Sequence, residues 1–211
     1  MRNLFILLAL AMTMLSGAAL SQDADAYIED MDYQLIKPAQ PTDDPDRIEV
    51  VEIFWYGCPH CYHFEPALGP WTKGVPKNVN FYRLPAIFND AWEVHARAYF
   101  TADILDVLEK SHSALFHAMH AEHKILNNVD KLAEFYSQYG IDRSLFKKTY
   151  NSFVVNTRVA RTKDMVQRYG VRGVPAMVIE GKYLVTGSMA KSYDNMLKIT
   201  DFLVEKERRG N

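Results

Sequence analysis

Only two cysteines, Cys58 and Cys61, occur in the chain. That excludes a disulfide scaffold, so a hydrophobic core must carry stability by itself. An excess of charge of one sign is also missing. The formal net charge is −2, which offers neither nucleic acid nor an anionic membrane surface an electrostatic partner. No internal repeat or low-complexity tract is visible. The apolar run from Leu4 to Leu15 is shorter than the roughly 20 residues needed to cross a bilayer. What is present, 211 residues with 48% hydrophobic and 24% charged, suits one globular domain with a sizeable core.

The first 21 residues do not belong to that domain. Arg2, the Leu4–Leu15 run and then small residues such as Ala18, Ala19 and Ser21 have the layout of a secretory signal peptide. Cleavage is expected after Ser21, with Ala18 as the alternative, leaving 22–211 as the mature chain. Export places the two cysteines in an oxidising compartment.

Along the mature chain, a short strand is predicted at Tyr33–Ile36, followed by a Pro- and Asp-rich loop. Ile48–Tyr56, "IEVVEIFWY", is almost continuously apolar and rich in β-branched and aromatic residues. It predicts a strand covered on both faces. Gly57 breaks it, a helix is expected from Pro59 to about Leu68, and another strand covers Val79–Leu84. From Asn89 to about Tyr169 the pattern is helical throughout, with Val129, Leu132, Ala133, Phe135 and Tyr136 on one face and Asp142 as a cap. "PAMVIEGKYLVTG" then predicts a hairpin, and Tyr193, Met196, Leu197, Thr200, Leu203 and Val204 form the apolar face of a last helix. The order implies an α/β sheet covered by helices and interrupted by a helical insertion at about 89–157.

The cysteines lie in "CPHCYH". A structural zinc site needs four convergent ligands, usually from two separated pairs. On a helix, Cys58 and Cys61 share a face while His60 and His63 point elsewhere, and no further cysteine completes a site. Covalent haem attachment needs histidine directly after the second cysteine, and Tyr62 stands there. A redox pair fits better. Pro59 suits the first helical position, where a missing donor costs nothing. Cys58 then sits at the helix N-terminus, where free amides and the macrodipole favour its thiolate, and His60 adds to that. Cys61, one turn further in, is placed to form or resolve a disulfide. Stabilising the Cys58 thiolate stabilises the reduced form, so the disulfide is an oxidant toward other thiols.

Glu52 interrupts the apolar strand six positions before Cys58. Buried there, its pKa rises, and it can take or give the proton that moves when Cys61 leaves or attacks. A glutamate reaching solvent at a strand end is the plainer reading.

"FWYGCPHCYHFEP" together with "GVRGVPAMVIEGKYLV" resembles the DsbA family of periplasmic thiol:disulfide oxidoreductases. The similarity spans essentially the whole mature chain and implies a thioredoxin fold with a large all-helical insertion between the central strands and the C-terminal hairpin. It implies Cys58 as the exposed nucleophile and Cys61 as its resolving partner, with Pro59 and His60 tuning the potential. It also implies a cis-proline at Val174-Pro175 that presents backbone to an extended substrate, and Glu52 as a buried acid. Family members often pair that acid with a lysine on the next strand. Phe81 stands in the equivalent place here, and Arg83, on the same face, is the candidate substitute. Implied partners are reduced or unfolded exported proteins and a membrane reoxidase of the DsbB type. No nucleic acid, metal or organic cofactor is implied, and a monomer is expected.

His112, His117, His120 and His123 are expected to be a polar helix face without function. Trp92, Tyr99 and Phe100 are expected in the core of the insertion. Two rival functions stand beside disulfide donation. A disulfide isomerase or reductase shares the chemistry, but the short segment before Ile48 leaves no room for a separate dimerisation domain. A periplasmic metal-binding protein using cysteine and histidine is the other.

Overall fold

The computed structural model describes residues 27–210, so the expected signal peptide lies outside the described residues. Five strands form one sheet in the order β1 (Gln34–Leu35), β5 (Tyr183–Thr186), β4 (Ala176–Ile179), β2 (Ile48–Phe54) and β3 (Val79–Pro85). The central strand β2 pairs parallel with β3 and antiparallel with β4. A parallel neighbour requires a crossover, supplied by α1 (Pro59–Gly74).

Six of the seven β2 residues are buried, because both faces of the sheet are covered. Val50 packs on one side with Phe64 and Leu68 of α1 and with Met196 and Leu203 of α8 (Tyr193–Arg208). Val51 and Ile53 pack on the other side with Val166 and Tyr169. Fully burying a side chain such as Ile53 stabilises the fold by roughly 2–3 kcal/mol. Strand alternation then puts Glu52 on the same face as Val50, beneath α1.

Between β3 and β4 run α2 (Asp90–Ile104), α3 (Leu108–His120), α4 (Val129–Ser137), α5 (Arg143–Tyr150) and α6 (Phe153–Arg168). Asn89, Asn128, Asp142 and Ser152 each accept a backbone N–H at the start of a helix, worth about 1 kcal/mol apiece. The expected insertion boundary near residue 157 falls inside α6, whose first half (Val155, Val159) joins the insertion core while Val166 lies on the sheet. A single helical turn, α7 (Gly187–Ala190), separates β5 from α8.

Two local expectations are corrected. Helix α1 continues past Leu68 to Gly74 despite Pro66 and Pro70. Each proline withholds one intrahelical donor, but burial of Phe64 and Leu68 against α8 holds the helix together. Strand β2 stops at Phe54, and Trp55 and Tyr56 belong to the turn that leads into Cys58.

Candidate active site

Cys58 is the N-cap of α1 in an extended conformation (φ −91°, ψ 115°), and Pro59 occupies the first helical turn. The Cys61 amide donates to Cys58 Sγ at 3.4 Å, satisfying one of the free donors of a helix start. Both cysteines are unbonded thiols. Cys58 is only 7% exposed and Cys61 is fully buried. The first cysteine is thus more covered than a fully exposed nucleophile, because its sulfur lies 3.5 Å from the Val174 carbonyl and packs into the insertion core. The Val174-Pro175 peptide bond is cis, as is Lys37-Pro38.

The two sulfurs are driven apart in acidity. Hydrogen bonding from the Cys61 thiol, then from the Cys61 and His60 amides, together with the charge of His60, lowers the Cys58 pKa from 9.0 to about 6 against the effect of burial. Burial, reinforced by the neighbouring Cys58 sulfur and Glu52, pushes the Cys61 thiol far above its ordinary range. His60 is exposed, with Nδ1 3.5 Å from the Tyr193 hydroxyl.

Below the pair lies a chain of buried polar groups. Glu52 is fully buried and faces Arg83, its register partner on β3. Arg83 Nε donates to Glu52 Oε2 at 2.9 Å, while Glu52 Oε1 has no partner among the described residues. The other end of the guanidinium reaches Glu65 of α1 at 3.5 Å. Glu65 in turn lies 3.4 Å from His112 Nε2, near enough for attraction but without an aligned hydrogen bond. His112 Nδ1 meets the Tyr56 hydroxyl at 2.8 Å, and His120 Nε2 donates to the Tyr56 carbonyl, also at 2.8 Å. Two carboxylates therefore share one guanidinium. Burial raises Glu52 to about 8, with Arg83 offsetting only part of it and Glu65 adding to it. Burial acts on Glu65 too, but His112 and Arg83 outweigh it and hold that carboxyl below its ordinary range. Of the two carboxyls, burial favours the proton on Glu52, and the facing His112 and Arg83 favour the charge on Glu65.

Comparison with known proteins agrees with this geometry. The family model for the DSBA-like thioredoxin domain matches residues 78–199. The thiol:disulfide interchange protein DsbA of Pseudomonas aeruginosa is 42% identical over 208 residues, 99% of this chain and 98% of that protein. The chain belongs to the DsbA family. The crystal structure of Pseudomonas aeruginosa DsbA superposes with a TM-score of 0.84 at 41% identity, covering 89% of this chain and 97% of the other. Oxidoreductase DsbA from Xylella fastidiosa gives 0.80 at 37% identity, covering 84% and 96%. The fold is the thioredoxin-like α/β fold of that family with its large helical insertion, and the protein is a thiol:disulfide oxidoreductase acting through the Cys58–Cys61 pair. Among the described residues no three His, Cys, Asp or Glu side chains converge as metal ligands, and the redox element is the cysteine pair itself.

The residues singled out in the sequence meet around α1: Cys58, Pro59, His60 and Cys61 at its start, Val174-Pro175 against Cys58, and Glu52 underneath. Arg83 does contact Glu52. Four participants escaped the sequence reading. Glu65 lies four residues after Cys61 and so shares its helix face, a signal that was available. Tyr56, His112 and His120 gave none. The expectation that the α3 histidines form an idle polar face is wrong for His112, which is 6% exposed, and for His120, which stacks on Tyr62 with centroids 5.1 Å apart. His117 is exposed on α3, while His123, also exposed, lies beyond the end of that helix and so belongs to no helix face.

Proposed function

We propose that the protein donates its Cys58–Cys61 disulfide to newly exported proteins in the periplasm. The observation that carries this reading is Cys58 at the helix start with its sulfur facing the Cys61 amide. A substrate thiolate attacks Cys58 Sγ, and the Cys58–Cys61 bond breaks. Cys61, whose thiolate is disfavoured by burial, leaves and takes a proton for which Glu52 is the nearby store. A second substrate thiolate then attacks the substrate sulfur of the mixed disulfide, and Cys58 leaves as a stable thiolate. Two electrons have passed to the pair, and the substrate holds a disulfide. In this scheme His60 supports the Cys58 thiolate, Pro59 starts the helix, and Val174-Pro175 offers backbone to an extended substrate chain.

A periplasmic setting is consistent with the family. The mature protein comprises 22–211 after removal of a signal peptide at 1–21, acts as a monomer, and is reoxidised by a membrane partner of the DsbB type. Family membership supports that partner and the exported substrates. Equilibrating the protein with glutathione buffers tests the direction of electron flow. The pair should be far more oxidising than thioredoxin, which sits near about −270 mV. A thioredoxin-like potential would overturn disulfide donation and leave the fold untouched.

A further inference from the structure

Beside Cys58 runs a groove of about 1150 Å³ lined by His60, Val174, Pro175, Arg172, Lys191 and Tyr193 among others, with no aspartate or glutamate in its wall. Arg172 is exposed and differs from the rest of its kind. The other arginines among the described residues, Arg47, Arg83, Arg97, Arg143, Arg158, Arg161, Arg168, Arg208 and Arg209, each pair with a carboxylate. Arg172 pairs with none among the described residues. It stands two residues before Val174, whose carbonyl touches the Cys58 sulfur, so its backbone lies within about 7 Å along an extended chain. Lys191 lines the groove from the α7–α8 turn, exposed and in a left-handed backbone conformation (φ 64°), and likewise without a carboxylate partner among the described residues.

A guanidinium presents a rigid fork that fits a carboxylate through two parallel bonds. Elsewhere on this surface that fork is filled from within the chain. We propose that Arg172, with Lys191 in the same groove, receives an acidic side chain of the substrate two or three residues from its reacting cysteine, so that acidic segments of exported proteins are oxidised in preference to basic ones. This rests on the disulfide-donor reading and adds the class of substrate. The chain is itself slightly acidic, with net charge −2, so the preference belongs to the groove and not to a general positive field.

The test compares three amidated cysteine peptides that differ only in carrying Glu, Gln or Lys at that spacing. Their oxidation by the oxidised protein is followed under single turnover. A nearby carboxylate raises the peptide's own thiol pKa and slows its attack. The quantity that reports on Arg172 is therefore the Glu-to-Lys rate ratio in wild type divided by that in R172Q. An exposed charge pair of this kind is worth a factor of about 3, so the ratio should fall about threefold in R172Q, further with K191Q added, and only part of the way in R172K, which keeps the charge but loses the two-bond fork. Raising the ionic strength should shrink the wild-type ratio toward that of the variant. Equal ratios in wild type and R172Q would overturn the assignment. Failure of wild type to oxidise even the Gln peptide would overturn the donor reading on which it stands.

Discussion

The depressed pKa of Cys58 makes the reduced protein gain stability over the oxidised one as the pH rises. In the folded dithiol Cys58 ionises near 6, against 9.0 for the unperturbed thiol. Its folded pKa is the lower one, so the stabilisation is fully present above 9 and is lost as the pH falls through 6. At pH 7 about nine-tenths of the folded thiol is ionised against about one-hundredth of the unfolded, a difference of about 1.4 kcal/mol. The gain approaches zero near pH 5 and reaches about 2.7 kcal/mol near pH 8. Above 9 it is eroded, because the unfolded Cys61 ionises while the folded one, raised by burial, does not. The assay is urea unfolding of both redox forms between about pH 5 and about pH 8. The oxidised form serves as reference, since Glu52 titrates in each and its disulfide constrains the unfolded chain equally at every pH. The reduced-minus-oxidised difference should rise by roughly 2.5 kcal/mol across that window. A flat difference, or one that grows toward acid, would refute the placement of the thiolate at the helix start.

Three further variants probe the surroundings. Glu52 stays protonated up to about 8 because burial outweighs Arg83, so its proton supply disappears as the pH rises through that value. Glu52→Gln should slow release of the mixed disulfide about tenfold or more and remove that limb of the single-turnover pH profile; a rate unchanged at every pH would eliminate Glu52 from the mechanism. His112→Ala removes a buried ring and leaves the Tyr56 hydroxyl, now bonded at 2.8 Å, without a partner. It should lower stability by about 2–4 kcal/mol in chemical denaturation, and a loss below about 1 kcal/mol would show the contact contributes little. Gly57→Ala would drive a Cβ into the Trp55 ring. That ring cannot swing away freely, being stacked on Trp92 at 4.2 Å and hydrogen-bonded to His95 at 3.0 Å. A loss of about 1–3 kcal/mol with altered tryptophan emission is expected, and an unchanged protein would mean the stack is easily rearranged.

The histidines of α3 show where sequence reading reaches its limit. Four histidines at short spacing look like a solvated face, and nothing local separates His112 from His117. Burial is conferred by what packs opposite: α3 lays His112 over Phe54 and Tyr56, with ring centroids near 5.2 Å in both cases, and leaves His117 in solvent. The same holds for the arginines. Strand period singles out Arg83 as a partner for Glu52, but nothing in the sequence shows that Arg83 is locked between two carboxylates while Arg172 faces an open groove.

The sequence alone determined the redox pair, the start of α1 and the burial of β2. Those depend on contacts between near neighbours: proline at a helix start, a glycine break, and a nearly continuous apolar, β-branched run over a few residues. Expectations for Glu52 and Val174-Pro175 could also be framed, through strand period and a recognisable motif. The tertiary structure decided which groups face one another across the sheet. Register sets Glu52 against Arg83, and the crossover brings Glu65 to the other end of that guanidinium. The insertion then delivers His112 and His120 to Tyr56 from more than fifty residues away. Partners so far apart in the chain are chosen by packing of the whole core, which no short stretch encodes. The proton held on Glu52 is a property of that assembled neighbourhood.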